Sequence, residues 1–172
     1  MTLQRTFVSV GDGLYLHCVL AGPVGAPPLL VVHGGPDWDH SYLLEPLTRL
    51  GHRRLVLPDL RGCGRSSPGP CSFAAAARDL ARLIAHLGLQ SPDLLGFSAG
   101  GQVVQRLAEA DTAWLFLHGR QDMVFPAHFA ERATALLPRS RAVVLEAAGH
   151  MTHVDQPEAW ISSIETFLAK RL

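Results

Sequence analysis

The sequence is poor in charged residues and in cysteine, and it has no long apolar run. Only 17% of its 172 residues are charged, against about 25% in an average soluble protein, and the formal net charge is zero. A chain without a basic excess lacks the surface that binds nucleic acid, so no nucleic-acid partner is expected. There is no charged-then-apolar leader and no apolar run of about 18 residues, so we expect no signal peptide, no membrane span and a cytoplasmic location.

The three cysteines, Cys18, Cys63 and Cys71, are odd in number and lack the spacing of a disulfide framework or a zinc site. Cys63 and Cys71 flank a loop rich in glycine, proline and serine and could pair, but free thiols are the preferred interpretation. Neither a metal nor a cofactor is expected.

Strand-length apolar runs alternate with helix-length stretches, which is typical of a largely parallel sheet with helices on both faces. Residues 6–10 and 15–21 predict a hairpin that turns at residues 11–13. The other predicted strands are 29–32, 55–57, 93–95, 114–117 and 142–145, and the predicted helices are 41–50, 73–87 (capped by Ser72), 101–110, 127–137 and 157–168. The chain is therefore expected to form one α/β domain over residues 1–172, with about seven strands.

Ser98 lies in the most informative motif, Gly96-Phe97-Ser98-Ala99-Gly100, between a predicted strand and a predicted helix. Gly-x-Ser-x-Gly in that context indicates a nucleophile elbow, a turn so sharp that only small residues fit two positions before and after the serine. A serine hydroxyl is a weak nucleophile until a base takes its proton, and a carboxylate improves the base by fixing its tautomer.

Asp122 and His150 supply the carboxylate and the base. Asp122 follows the predicted strand 114–117 and His150 follows the predicted strand 142–145, so both lie past strand ends, as Ser98 does. The chain order Ser, Asp, His is the order of the triad in α/β-hydrolases. We therefore predict Ser98, Asp122 and His150 as the catalytic residues.

Three other residues are candidates for the base or the acid. His153 could replace His150, but Gly149 gives the strand exit the freedom that an exposed imidazole needs, and His153 is then a surface or supporting residue. Asp93 and Asp111 precede their strands and therefore lie at the wrong end for the acid.

The oxyanion that forms during acyl transfer needs backbone N–H donors. Ala99 follows the nucleophile and supplies one donor. The second is expected from the loop at residues 33–36, with Gly35 as the donor and Gly34 as the alternative.

Together these segments resemble the α/β-hydrolase superfamily, and residues 33–43 most resemble its proline iminopeptidase-like branch. The segments that carry the resemblance are His33-Gly34-Gly35-Pro36, residues 58–66 (PDLRGCGRS), residues 96–101 (GFSAGG), residues 118–122 (HGRQD) and Gly149-His150. The resemblance implies the same triad and the same oxyanion donors, and it implies that Asp59 and Arg61 brace a loop. It excludes epoxide hydrolase and dehalogenase chemistry, because those relatives carry an aspartate where Ser98 stands.

The chain departs from this branch in two ways. Residues 110–113 alone separate the elbow helix from strand 114–117, so the family's sixth strand and its helical cap are expected to be absent and strand 114–117 to pair directly with the nucleophile strand. An open groove should result, lined by the candidate substrate-binding residues Trp38, Met123, Phe125 and Met151, with Phe97 belonging rather to the core. In addition, Asp37 stands where the branch has glycine, and its carboxylate should face solvent or a substrate amine.

These observations predict a minimal, cap-less α/β-hydrolase that acts as a serine carboxylic-ester hydrolase on small, accessible acyl groups. The alternatives are an aminopeptidase of the iminopeptidase kind, a perhydrolase or cofactor-free haloperoxidase, and a catalytically silent binding protein on the same scaffold. The expected partners are a small ester substrate and a second copy of the chain in a two-fold dimer, which would cover apolar surface left by the missing cap.

Overall fold

The structure is a computed structural model that describes residues 1–108, 112–137 and 139–170. The chain forms two compact units, Met1–Ala108 and Glu109–Leu172. No helix in the described ranges is both long and apolar enough to cross a membrane.

The first unit is built on a five-stranded sheet with the order β1-β2-β4-β3-β5. Its strands are β1 (Leu3–Ser9), β2 (Tyr15–Ala21), β3 (Pro28–Val32), β4 (Arg54–Pro58) and β5 (Asp93–Gly96). The predicted hairpin is the antiparallel β1–β2 pair, and β2 also pairs antiparallel with β4, whereas β3 lies parallel to both β4 and β5. The four Leu and Val residues of β3 are fully buried, as a central parallel strand requires.

Three helices accompany this sheet, namely α1 (Ser41–Leu47), α2 (Phe73–His86) and α3 (Ala99–Leu107). The Ser72 side chain accepts a hydrogen bond from the Ala75 N–H and caps α2, as predicted. Helix α1 is shorter than the predicted 41–50 and ends at Leu47. Helices α2 and α3 pack on each other, and their side chains join the sheet in one core that contains Leu80, Leu83, Val103, Val104, Leu30 and Val32.

The second unit contains a parallel pair of strands, β6 (Trp114–Gly119) and β7 (Ser140–Leu145), joined by α4 (His128–Leu136). After β7 come the short helix α5 (Thr152–Asp155), which the sequence patterns missed, and α6 (Pro157–Ala169), which begins with proline as expected. Both α4 and α6 pack against the two strands.

The described residues contain seven strands, as predicted, five in the sheet of the first unit and two in the ladder of the second, and most of the strand pairs are parallel. Strand β6 matches β7 residue for residue, from Trp114↔Ser140 to Gly119↔Leu145. Strand β5 pairs with β3. The expected pairing of β6 with the nucleophile strand β5 stays a prediction.

Residues 108–113 connect α3 to β6, and this stretch is too short for a helical cap of many tens of residues. The prediction of a single domain over residues 1–172 stays a prediction.

Candidate active site

Ser98 occupies a strained turn between β5 and α3. Its φ of 52° and ψ of −121° lie outside the regions that non-glycine residues ordinarily adopt. A Cβ atom on Gly96 would lie 2.6 Å from the Gly100 carbonyl oxygen, and one on Gly100 would lie 2.2 Å from the Val32 carbonyl oxygen. The two glycines are therefore required sterically, and the motif has the backbone geometry of a nucleophile elbow.

The loop after β3 lies directly against this elbow. A Cβ atom on Gly34 would lie 2.8 Å from both the Ser98 Cβ and the Phe97 carbonyl oxygen. Gly35 has a φ of +86°, and a Cβ there would also meet the Trp38 ring at 2.8 Å. Only glycine at position 34 allows the loop backbone to approach the nucleophile so closely, and glycine at position 35 allows the positive φ beside the Trp38 ring.

His33 fixes the orientation of the peptide between Gly34 and Gly35. The Leu60 N–H donates to His33 Nε2 at 2.9 Å, so Nδ1 carries the imidazole proton and donates it to the Gly34 carbonyl, also at 2.9 Å. Burial lowers the pKa of His33, which favours this neutral form. Because a trans peptide is planar, the Gly35 N–H points to the side opposite the Gly34 carbonyl, away from His33.

The two candidate donors of the second oxyanion contact differ in their bonding. The Gly34 N–H donates to the Tyr42 hydroxyl at 2.8 Å and is therefore already engaged. Within the described part of the chain, no hydrogen bond uses the N–H of Gly35 or that of Ala99, the first residue of α3. These two N–H groups have the state expected of oxyanion donors.

Asp59 braces the loop that leads from β3 into α1. Its carboxylate accepts hydrogen bonds from His17 Nδ1 at 2.9 Å, from His40 Nδ1 at 2.5 Å and from the Arg65 N–H at 3.0 Å. Burial alone would raise the pKa of Asp59, but the hydrogen bonds from His40 and Arg65 outweigh it and hold that pKa well below its ordinary value. The carboxylate thus joins β2, the loop that leads into α1 and the loop after β4.

His17, His40 and Asp59 also form the one group among the described residues whose donor atoms are close enough to hold a metal ion. Each imidazole Nδ1 is already hydrogen-bonded to one oxygen of Asp59, so the donor set is satisfied internally and does not call for a metal.

Arg61 ties the loop after β4 to α2. Its Nε and Nη2 donate to the two carboxylate oxygens of Asp79 at 2.7 and 2.6 Å, in a bidentate pair. The roles that the resemblance implied for Asp59 and Arg61 agree with these contacts.

Asp122 and His150 come together in the second unit. His150 Nδ1 lies 2.9 Å from Asp122 Oδ2, and Asp122 Oδ1 accepts the N–H groups of Val124 and Phe125, each at 2.8 Å. Burial raises the pKa of Asp122, but the donors from Phe125, His150 and Val124 together outweigh it and keep the pKa below its ordinary value. Asp122 is therefore an ionised, fixed carboxylate that orients the imidazole through His150 Nδ1.

The segments that carry these two residues are bonded to each other beyond the strand ends. The Gln121 N–H donates to the Ala148 carbonyl, and the Gly149 N–H donates to Asp155 Oδ2 at 2.8 Å. The φ of Gly149 does not lie in the left-handed region. Gly149 therefore does not adopt the left-handed conformation that a glycine allows. The hydrogen bond to Asp122 is what distinguishes His150 from His153.

The rivals are placed differently. His153 is buried beside the Trp160 ring, so of its two expected positions, surface and supporting, the surface position is wrong. Burial lowers the pKa of His153 to about 4. Asp93 begins β5, at the end away from Ser98, and forms an ion pair with Arg53. Asp111 lies outside the described residues.

The candidate substrate-binding residues are partly or fully accessible. Trp38 is 47% exposed and packs edge-on against the Tyr42 ring, which also contacts the Phe97 ring. In the second unit Met123 is 91% exposed, Met151 is half-buried, and the Phe125 ring lies 5.8 Å from the His150 ring. Phe97 is half-buried rather than part of the buried core.

Asp37 is exposed and has a φ of 63°, a conformation that glycine adopts more readily than aspartate. This geometry agrees with its place at a position where the resembling family has glycine. The three cysteines are free, with Cys18 buried, Cys63 half-buried and Cys71 exposed.

The sequence patterns missed four residues that shape this site, namely His17, His33, Tyr42 and His40. His33 and His40 lie in the stretch that carries the resemblance, so their positions beside Gly34 and α1 were a usable signal. Tyr42 lies in the same stretch, but no pattern there names Gly34 as its partner. Nothing local to His17 indicates Asp59, which only the fold brings near.

A sequence model of the family described as "alpha/beta hydrolase fold" matches residues 27–113, half of the chain. The chain is 31% identical to a haloalkane dehalogenase of Mycolicibacterium paratuberculosis over 148 residues, which are 76% of this chain and 49% of that protein. It is 36% identical to a proline iminopeptidase of Lactobacillus crispatus over 83 residues, 44% of this chain and 28% of that one. The chain thus spans half or less of the length of these curated relatives.

Among solved structures, a carboxylesterase of Bacillus subtilis superposes with a TM-score of 0.86 at 18% identity, covering 100% of this chain and 93% of that one. At such identity the likeness concerns the fold. Together with the match over residues 27–113 and the elbow geometry at Ser98, it shows that the chain belongs to the α/β-hydrolase fold family.

Proposed function

We propose that this α/β-hydrolase is a serine hydrolase of small carboxylic esters. The observation that carries the proposal is the elbow at Ser98, with two N–H groups beside it, those of Gly35 and Ala99, that no other group within the described residues occupies. An ionised Asp122 bonded to His150 Nδ1 supports it, because this pair supplies the base that a serine nucleophile requires.

In the proposed reaction Ser98 Oγ attacks the ester carbonyl carbon while His150 Nε2 takes the hydroxyl proton. The carbonyl oxygen becomes an oxyanion that accepts hydrogen bonds from Gly35 and Ala99. The tetrahedral intermediate then collapses, the C–O bond to the alcohol breaks, and His150 returns the proton to the departing oxygen. Water, deprotonated by His150, hydrolyses the acyl-enzyme by the same steps and releases the acid.

Trp38, Met123, Phe125 and Met151 are proposed to contact the acyl or alcohol group. Apolar side chains without an enclosing cap offer few contacts that strengthen only in the transition state, and amides depend on such contacts more than activated esters do. We therefore propose a preference for short acyl esters.

An iminopeptidase-type aminopeptidase is the second candidate, favoured by the 36% identity to a proline iminopeptidase over 83 residues. The likeness to a haloalkane dehalogenase does not extend to its chemistry here, because the resemblance implies an aspartate nucleophile in such relatives and this chain has Ser98.

A substrate panel separates the candidates. p-Nitrophenyl acetate, butyrate and octanoate and proline p-nitroanilide are assayed side by side with the wild type, Ser98→Ala and the control Ser162→Ala, which changes an exposed serine of α6. We expect acetate and butyrate turnover by the wild type and the control, and none by Ser98→Ala. Proline p-nitroanilide turnover that rivals acetate turnover would favour the aminopeptidase, and equal activity of Ser98→Ala would refute both.

A further inference from the structure

Gly34 links two peptide groups that decide where the Gly35 N–H points. The peptide on its carboxyl side is held at the Gly34 carbonyl by His33 Nδ1. The peptide on its amino side is held at the Gly34 N–H by the Tyr42 hydroxyl, at 2.8 Å. A glycine has the widest range of backbone angles of any residue, so without both anchors this pair of peptides could rotate.

Tyr42 is built into this position by its surroundings. It is the second residue of α1, and its ring stands edge-on to Trp38 at 5.2 Å and to Phe97 at 5.5 Å. Burial raises its pKa to about 12, so the phenol is neutral at any pH at which the protein would be assayed. The ring contacts set the side chain, and its oxygen meets a backbone N–H that lies one residue before the proposed oxyanion donor.

We propose that Tyr42 is a positioning residue of the oxyanion hole, which by accepting the Gly34 N–H holds the loop in the orientation that presents the Gly35 N–H to the oxyanion. This inference rests on the proposed function. Tyr42 also removes a competitor. Gly34 packs against Ser98, and because its N–H is engaged by Tyr42, that N–H does not bind the carbonyl oxygen in a second, unproductive geometry.

The expected kinetic signature follows from when the oxyanion forms. The hydrogen bond from an oxyanion donor forms in the transition state and hardly at all with the bound ester. Misorientation of that N–H group therefore lowers kcat and leaves KM nearly unchanged. Removal of a whole oxyanion donor costs about 100-fold to 1,000-fold in kcat, and misalignment should cost part of that.

The first test is Tyr42→Phe, which keeps the ring contacts and removes the acceptor. We expect kcat for p-nitrophenyl acetate to fall at least about tenfold with KM within about twofold. The inhibition constant of a trifluoromethyl ketone, which forms an oxyanion on the serine, should rise by the same factor as kcat/KM falls. The control is Tyr15→Phe, which changes the chain's other tyrosine, a half-exposed residue of β2, and should leave all three values unchanged.

A second variant covers the case in which Tyr42→Phe does not fold. Fluorotyrosine incorporated into the Tyr15→Phe protein labels position 42 alone and makes its oxygen a weaker acceptor and a stronger donor. A fall in kcat of several-fold supports the proposal. An unchanged kcat overturns it, and a rise overturns it too, because that result means that the hydroxyl donates to the oxyanion directly.

The outcomes separate this inference from the proposed function. If the wild type hydrolyses esters and Ser98→Ala does not, but Tyr42→Phe keeps the wild-type kcat and ketone affinity, only the role of Tyr42 is overturned. If the wild type has no esterase activity and the ketone does not bind, the proposed function and the role of Tyr42 fall together.

Discussion

At the scale of single residues, the candidate chemistry depends on groups that hydrogen bonds hold in one orientation. Asp122 uses one oxygen for two backbone N–H groups and the other for His150. His33 uses one nitrogen for Leu60 and the other for Gly34. Since each partner is fixed by its own bonds, the imidazole of His150 and the peptide before Gly35 are oriented before any substrate binds.

The first prediction separates the two histidines. His150→Ala should lower kcat by at least about a thousandfold, because the proposed base is lost. His153→Ala should lower kcat by less than about tenfold, because His153 packs beside Trp160 and its loss changes packing rather than the proposed proton transfer. Steady-state ester hydrolysis, measured well below the melting temperature of each variant, checks both values, and an inactive His153 variant beside an active His150 variant would reverse the assignment.

The second prediction concerns stability and pH at Asp59. Its folded-state pKa lies below the ordinary 3.8, so the ionised carboxylate stabilises the fold fully above about pH 5, and this contribution is lost as the pH falls through 3.8 toward the folded pKa. Asp59→Asn should therefore lower the free energy of unfolding at pH 7, on the order of 3 kcal/mol for a buried network that loses one partner.

Urea unfolding between pH 7 and pH 3 measures this difference. The gap between wild type and Asp59→Asn should be constant near neutrality and should narrow in acid. Asp12→Asn is the control. Asp12 is exposed and pairs with Arg82 at the surface, and such a pair contributes little to the free energy of unfolding. A gap that widens in acid would contradict the sign of the Asp59 shift.

At the scale of elements, the sequence predicted which segments form strands and helices, and less well where they end. Alternating apolar runs, Ser72 before α2 and Pro157 at the start of α6 carry strong local signals, and the structure confirms an element at each predicted place that it describes. Helix α5 spans four residues, too few to show a 3.6-residue period. The pairing of β6 with β7 joins residues that are far apart along the chain, so a local sequence pattern does not predict it.

The same contrast holds in the candidate site. The elbow, the strand-end aspartate and the strand-end histidine were predictable because each lies next to a local motif. Tyr42 and His17 were not, because their partners Gly34 and Asp59 are 8 and 42 residues away, respectively, along the chain. The bonding of the Gly34 N–H, which distinguishes it from Gly35, likewise exists only in the fold.

The third prediction is an element-scale one. Ser72→Ala removes the side chain that caps α2 and should lower the free energy of unfolding by about 1 kcal/mol, a fall in Tm of about 2–4 °C. Ester hydrolysis at 25 °C should be unchanged. Calorimetry of this variant beside Ser162→Ala, a change within α6 that involves no cap, checks the effect, and equal Tm values would contradict the capping role.

At the scale of the whole molecule, the chain combines few charges with several large apolar side chains in contact with solvent. Met123 is 91% exposed and Leu136 is 81% exposed. Apolar surface on a soluble protein commonly marks an interface, and two-fold symmetry is the commonest way to cover it.

The fourth prediction is therefore a homodimer. Light scattering coupled to size exclusion should give twice the 18.6 kDa of one chain at micromolar concentration. Activity per chain should fall on dilution if one protomer narrows the groove of the other. A mass of 18.6 kDa across the micromolar range, with activity independent of dilution, would show a monomer.

The central claim is that Ser98 is a nucleophile activated by His150, and covalent labelling tests it most directly. A fluorophosphonate probe, followed by peptide mass spectrometry, should modify Ser98 alone in the wild type, and the rate of labelling should fall at least about a hundredfold in His150→Ala because the serine proton then has no acceptor. Labelling of Ser41, Ser66 or Ser67 instead, or labelling of Ser98 at the same rate with and without His150, would contradict the account.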